Sequence, residues 1–242
     1  MNALAVILAR AGSKGLPDKN KLPVAGKPCL AWTIEHALES PTLDRVLLST
    51  DSNEMAQIGR NLGVEVVMRP YEFAHDTATV DAAVRHAVTS IIGNHDQIVI
   101  LYGNVPVRPA DLTERAVAKL RATGCDSVQS VCPVGKHHPY WTKSLSGEDT
   151  DQIEAFQDNA VYRRQDLPPL YGLDGGVIAV TRDNLFNLDP DDPHAFLGAD
   201  RRAVTTQPGE VIDVDAPVDL LVADATLKLQ QEERERRGTH AG

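Results

Sequence analysis

Ala3-Leu4-Ala5-Val6-Ile7-Leu8-Ala9-Arg10-Ala11-Gly12-Ser13-Lys14-Gly15-Leu16-Pro17-Asp18-Lys19-Asn20-Lys21 runs from an unbroken apolar segment into a loop of glycine, serine and four cations. An apolar run of this length, with no polar face, fits a strand buried on both sides. It is too short to cross a bilayer, and no basic region precedes it as a signal peptide would require. In an open α/β sheet, ligands bind beyond the carboxyl ends of the strands, which is where this loop begins. Gly12 and Gly15 free the backbone to turn, and with Ser13 they can aim N–H groups at a phosphate. Arg10 can grip phosphate oxygens in a bidentate way, and Lys14 is a movable point charge. The loop lacks the Gly-Lys-Ser/Thr of a Walker loop and the Gly-x-Gly-x-x-Gly of a dinucleotide fold.

Outward from that loop, short apolar runs alternate with longer amphipathic ones. Strands are expected at Ala3–Ala9, Arg45–Ser49, Glu65–Met68, Gln97–Leu101, Ser127–Val131, Gly176–Val180 and Glu210–Val214. Helices are expected at Pro28–Glu39, Ser52–Leu62, Val80–Ile92, Ala110–Ala122 and Pro217–Arg236. The alternation predicts an α/β fold, a mostly parallel sheet wound on both faces. From about 133 to 170 the pattern breaks into Pro, His, Gly and polar residues, read as a small β-rich insertion. The whole of 1–242 is thus expected to be one domain with this excursion. Hydrophobic residues make up 42% and charged residues 24%, the balance of a globular protein. A net charge of −10 argues against duplex nucleic acid as a partner. Three cysteines with no Cys-x-x-Cys pair favour reduced thiols and a cytoplasmic setting, and with the first apolar run too short to span a bilayer no membrane partner is expected.

Taken together, Ala9-Arg10-x-x-Ser13-Lys14-Gly15-x-x-x-Lys19-Asn20 and Gly26-Lys27-Pro28 resemble the signature of the acylneuraminate cytidylyltransferases. Enzymes of that family make CMP-activated sialic acids and related nonulosonates. Further stretches follow in the family's order: Ser49-Thr50-Asp51, Arg69-Pro70, Asp76-Thr77-Ala78, His137-His138-Pro139, Arg164-Gln165-Asp166-Leu167-Pro168 and Ile212-Asp213-Val214-Asp215. The likeness therefore covers nearly the whole chain. It implies a nucleotide-diphospho-sugar transferase-like fold, CTP and a sugar acid as substrates, Mg²⁺ as cofactor, and a homodimer formed through the insertion.

The residues support these implications to differing degrees. Asp213 and Asp215 stand two apart, so on a strand their carboxylates share one face, where a cation would relieve their repulsion. Asp215 also precedes Pro217 and fits a helix cap equally well. By resemblance Arg69 reads the cytosine ring and Asp76 and Ala78 line the base pocket, while Thr77 or Thr79 can cap the helix from Val80. Asn20 is placed against the nucleotide by the same likeness; Asp51 is either a cap or a functional carboxylate.

Two departures fall near the expected sugar site. Tyr102-Gly103-Asn104-Val105-Pro106-Val107-Arg108 replaces the family's Gln-Pro-Thr-Ser-Pro-Leu-Arg, which leaves Tyr102, Asn104 and Arg108 as candidate sugar contacts. Asp174 stands where the family has Asn. Arg164, with Lys136, His137 and His138 nearby, is implied to reach a partner subunit's sugar site. The expected reaction is attack of a sugar acid's anomeric hydroxyl on the α-phosphate of CTP, giving the CMP-sugar and pyrophosphate. Arg10, Lys14 and Asp215 are its expected catalytic groups, and no dedicated general base stands out. Two rival readings share this fold: a catalytically silent nucleotide-binding protein, and a transferase for another 2-keto acid such as Kdo.

Overall fold

The computed structural model describes residues 2–12, 15–147, 150–189 and 191–239. The first apolar run forms β1 (Ala3–Leu8). Its side chains alternate, sending Ala5, Ile7 and Ala9 into one core layer and Leu4, Val6 and Leu8 into the other. A two-residue ribbon of β2 (Pro23–Val24) and β3 (Lys27–Pro28) leads into α1 (Cys29–Glu39). Then follow β4 (Arg45–Thr50), α2 (Asn53–Asn61), β5 (Glu65–Met68), α3 (Val80–Thr89), β6 (Gln97–Tyr102), α4 (Leu112–Thr123) and β7 (Ser127–Pro133). The hairpin β8 (Lys143–Ser146) and β9 (Gln152–Ala155) precedes β10 (Tyr171–Thr181), α5 (Arg182–Leu185), β11 (Arg201–Thr205) and α6 (Pro217–Thr239).

The seven-stranded sheet has the order β11-β7-β10-β6-β1-β4-β5, with only β10 antiparallel to its neighbours. On one face α1, α2 and α4 bury Leu30, Ile34, Met55, Leu112 and Leu120. On the other, α3 and α5 bury Val84, Ala87, Val88 and Leu185. The doubly wound expectation therefore holds. After β1 the chain builds outward through β4 and β5, then returns to place β6 on the other side of β1. Strand order reverses there, which opens a crevice at the carboxyl ends of β1, β4 and β6.

Local signals set the helix boundaries. Ser52 caps α2 by accepting from the Met55 N–H at 3.4 Å, and Thr79 caps α3 by accepting from Ala82 at 3.4 Å. Gly124, at φ 63°, ends α4 in the left-handed conformation that glycine tolerates.

One strand assignment needs correction. Glu210–Val214 is no strand: it joins the loop after β6 through a bridge between Ile212 and Val107 and a hydrogen bond from the Val214 N–H to the Asn104 carbonyl at 2.8 Å. The sheet edge beside β7 is taken instead by β11, whose exposed Arg201 and Arg202 hid it from an apolar-run reading. The Ile212–Val214 segment packs Val214 against Val107, Ala223 and Leu227 in a satellite core under α6.

Candidate active site

The crevice at the strand reversal is lined by Leu8, Arg10, Lys19, Asn20, Arg69, Ala78, Tyr102 and Asn104, with Phe73, His75, Thr79, Val80 and Ala83. Its cavity volume is about 200 Å³. Of the residues singled out in sequence, the fold thus brings Arg10, Asn20, Arg69, Ala78, Tyr102 and Asn104 to one place. Ser13 and Lys14 lie outside the described residues.

The loop after β1 is tied down from two sides. Asp51, at the end of β4, accepts from the Ala11 N–H at 2.7 Å, so it braces the loop, and the cap of α2 is left to Ser52. Asn20 donates to the Arg10 carbonyl at 3.2 Å, while its buried Oδ1 has no partner. Gly12 sits at φ 70°. Gly15 is needed for a different reason: a Cβ there would stand 2.8 Å from the Asp215 carbonyl oxygen. The glycine lets the loop lie directly against the Asp213–Asp215 segment.

Arg10 reaches across the crevice mouth to Asp76, with Nη1 to Oδ1 at 2.8 Å. Arg69 is buried and donates to the Ser49 hydroxyl at 3.1 Å and the Ser49 carbonyl at 2.8 Å. Burial pulls its guanidinium down to about 10, so it stays charged at neutral pH. Beside it Phe73 stacks on His86, ring centroids 4.9 Å apart. These two aromatics were missed in sequence, because a Phe and a His thirteen residues apart carry no shared signature until α3 brings them together.

At the other end, Asp213 accepts from the Asn104 amide, which also donates to the Val214 carbonyl at 3.3 Å. Burial and then the neighbouring Asp215 push the Asp213 carboxyl up to about 6. Asp215 pairs with Lys19. Asp215 is not the cap of α6: Asp219 reaches back and accepts from the Asp215 and Ala216 N–H groups at 3.1 and 2.8 Å. Tyr102 is largely buried, and burial and Asp213 raise its phenol above its usual value.

Two expectations are corrected. Arg108 does not line the crevice. Its guanidinium is buried and donates to the carbonyls of Gly176 (2.7 Å), Tyr102 (2.9 Å) and Val105 and to the Thr33 hydroxyl. It therefore shapes the loop after β6 from beneath. Asp174 is likewise committed internally, accepting from Ser130, from the Gly176 N–H at 2.9 Å and from Thr206 at 2.6 Å. Arg164 lies exposed in the insertion and does not line the crevice. His138 is buried, with Nε2 against the Pro168 carbonyl and Nδ1 accepting from Tyr140, so it braces the insertion.

A mostly parallel sheet with paired cations and carboxylates gathered at its reversal point defines a nucleotidyltransferase fold and candidate site. Solved structures of that fold include CMP:2-keto-3-deoxy-manno-octonic acid synthetase complexed with CTP, with a TM-score of 0.74, 19% identity, and 95% of this chain and 100% of that one covered. The sequence pattern of the family described as Cytidylyltransferase matches residues 4–189, and the chain belongs to that family. It is 31% identical over 240 residues to CMP-N,N'-diacetyllegionaminic acid synthase of Legionella pneumophila subsp. pneumophila, covering 96% of this chain and 99% of that one. It is 35% identical over 186 residues to N-acylneuraminate cytidylyltransferase of Streptococcus agalactiae serotype III, covering 76% of this chain and 44% of that one. The chain thus spans nearly all of the first relative and under half of the second. The nucleotidyltransferase assignment made from the sequence agrees with these relatives.

Proposed function

We propose that the protein transfers a cytidylyl group from CTP to the anomeric hydroxyl of a nonulosonic acid. The hydroxyl oxygen forms a bond to the α-phosphorus, the bond from that phosphorus to the bridging oxygen breaks, and pyrophosphate leaves with the electron pair. The observation that carries this reading is the crevice itself: Arg10, Lys19, Asn20 and Arg69 line one space, and two of its lining residues reach the carboxylate pair, Lys19 to Asp215 and Asn104 to Asp213. The base would enter toward Arg69, Ala78 and Phe73, and the triphosphate would run along Arg10, Lys19 and the Gly12–Gly15 loop, with Lys14 expected beside it. Little covalent chemistry falls to the protein in such a transfer. Its residues would hold the reacting atoms in line and offset charge gathering on the phosphate oxygens.

The chemistry of the donor set fits Mg²⁺. Asp213 and Asp215 bring two negative charges together, burial and then Asp215 raise the proton affinity of Asp213, and no third carboxylate, His or Cys completes a protein-only cage among the described residues. Mg²⁺ characteristically takes one or two carboxylates and fills its shell with substrate phosphates and water. Asp213 and Asp215 would hold it, and when bound it would supply Lewis-acid stabilisation of phosphate charge. Asn104 fixes one Asp213 oxygen, and Asp215, the more exposed, is the carboxylate through which the hydroxyl proton could pass to solvent.

The sugar acid would occupy the region near Tyr102 and Asn104. A homodimer in a cytoplasmic setting completes the reading, with the β8–β9 hairpin as the dimer contact and Arg164 reaching the partner's sugar site. The test is pyrophosphate release from CTP and Mg²⁺ with legionaminate-type, N-acetylneuraminate, pseudaminate-type and Kdo acceptors in parallel. Release with a nine-carbon acid is expected. Release with Kdo alone, or with no acceptor while CTP still binds, overturns the reading in favour of the two rivals.

A further inference from the structure

Among the described residues, both cations that line the crevice from the loop after β1 are already held by carboxylates of the same chain: Arg10 by Asp76 and Lys19 by Asp215. The second pair is the informative one, because it spans from the loop after β1 to the carboxylate pair before α6. We propose that Lys19 is a resident counter-ion for the Asp213–Asp215 pair. It occupies the place of the divalent cation in the nucleotide-free protein, and it hands Asp215 over when the cation arrives with the triphosphate. The proposal rests on the cation site assigned under the proposed function.

Three features support an exchange rather than a fixed brace. First, the backbone of Asp215 cannot retreat. Its N–H is held by Asp219 at 3.1 Å, and its carbonyl lies against Gly15 with no room for a Cβ between. Second, the Lys19 side chain is the mobile partner, an ammonium on a flexible four-carbon stem that already lines the crevice. Its backbone is fixed by a turn in which its N–H donates to the Leu16 carbonyl at 3.3 Å, so only the side chain need swing. Third, the contact is half open to water: the Lys19 side chain is 17% exposed and that of Asp215 is 65% exposed, so the pair is accessible to a competing ion. Other cations nearby are otherwise engaged. Lys21 is held by Asp18 and Glu54, and Arg108 by backbone carbonyls and Thr33. Among the described residues Lys19 is the cation in contact with the pair.

The consequence is an order of binding. A divalent cation alone would have to enter beside a positive ammonium, which opposes it. A cation arriving with the triphosphate brings negative charge that gives Lys19 a new partner, and the two exchanges become one event. Cation binding to the free protein should therefore be weak, and strong once nucleotide is present.

The measurement is Mn²⁺ binding followed by loss of the free-ion EPR signal, with and without a CTP analogue whose α,β bridge is methylene. Without nucleotide, Lys19→Met should bind Mn²⁺ at least roughly tenfold more tightly than wild type, the removed charge no longer competing. Lys19→Arg, which keeps a cation in place, should stay as weak as wild type. Asp215→Asn on the Lys19→Met background should abolish the gain. Thermal midpoints near wild type show that each variant is folded, and the arginine variant separates charge from packing. Equal Mn²⁺ affinity for Lys19→Met and wild type, or equal tightening by arginine and methionine, overturns the proposal. If wild type releases pyrophosphate while either result is seen, the counter-ion role alone fails. If wild type releases none with any acceptor, the proposed function fails independently of the Mn²⁺ result.

Discussion

Arginine 108 shows what a single side chain reveals only in three dimensions. In sequence it sits at the end of a motif stretch beside an expected sugar site, and a cation there reads as an anion ligand. In the fold it points inward, and its donors are taken by three carbonyls and a threonine hydroxyl. Sequence carries residue type and spacing, and neither separates a cation facing carbonyl oxygens from one facing a carboxylate. Arg10 and Arg69 were legible for the converse reason: each follows a strand closely enough that strand geometry delivers it to the crevice, whereas Asn20, well into the loop after β1, was legible only through the motif likeness. Arg108→Met should leave those acceptors without donors in a buried place, costing about 3 kcal/mol. For a chain of this size that lowers the thermal midpoint by roughly 6–12 °C. A midpoint that does not move, together with a large rise in the KM for the sugar acid, would restore Arg108 to the substrate site.

Elements were legible where burial imposes a period and obscure where it does not. β1, β4 and β6 sit in the middle of the sheet and read as apolar runs. β11 is an edge strand with one buried residue, Val204, and the reading passed over it in favour of Glu210–Val214, whose Val211, Ile212 and Val214 mimic a strand. The helix interface between α1 and α4 carries a consequence for stability. His36, in α1, is half-buried with Nε2 2.8 Å from the Thr113 hydroxyl of α4. Burial, helped by the charge of Arg108, pushes its imidazole down to about 3 from the usual value near 6.5. Between those values the unfolded chain binds the proton and the folded one does not. The contribution is therefore complete above about pH 6.5 and is lost as pH falls toward 3, at up to about 1.4 kcal/mol per pH unit. His36→Gln, which keeps an amide able to meet Thr113, should flatten urea-unfolding stability against pH between 7 and 4.5 relative to wild type. Parallel curves for the two proteins would show that His36 is not the group responsible.

The molecule as a whole is acidic, at −10, yet gathers cations at one crevice, and it also exposes apolar side chains in one insertion. Leu145 and Ile153 are directly opposed in the β8–β9 hairpin, on one face, at 64% and 72% exposed, with Phe156 beyond them at 63%. A two-stranded hairpin has too little core of its own to stand free, and clustered exposed apolar residues of this kind mark contact surfaces. A second copy is the occupant that the proposed function requires, because Arg164 lies in the same insertion and outside its own crevice. The mass in solution should then be twice the 26.3 kDa of one chain. Ile153→Asp with Phe156→Asp places charge on that face and should give monomers by light scattering. Those monomers should still bind CTP, since each chain carries Arg10, Lys19, Asn20 and Arg69 around its own crevice. Their turnover of the sugar acid should fall at least roughly tenfold, because a lost guanidinium–carboxylate contact is worth that much or more. Monomers with wild-type turnover would confine the hairpin to assembly and remove Arg164 from the site. A monomeric wild type would leave the apolar face to some other partner and require the sugar site to be built from one chain alone.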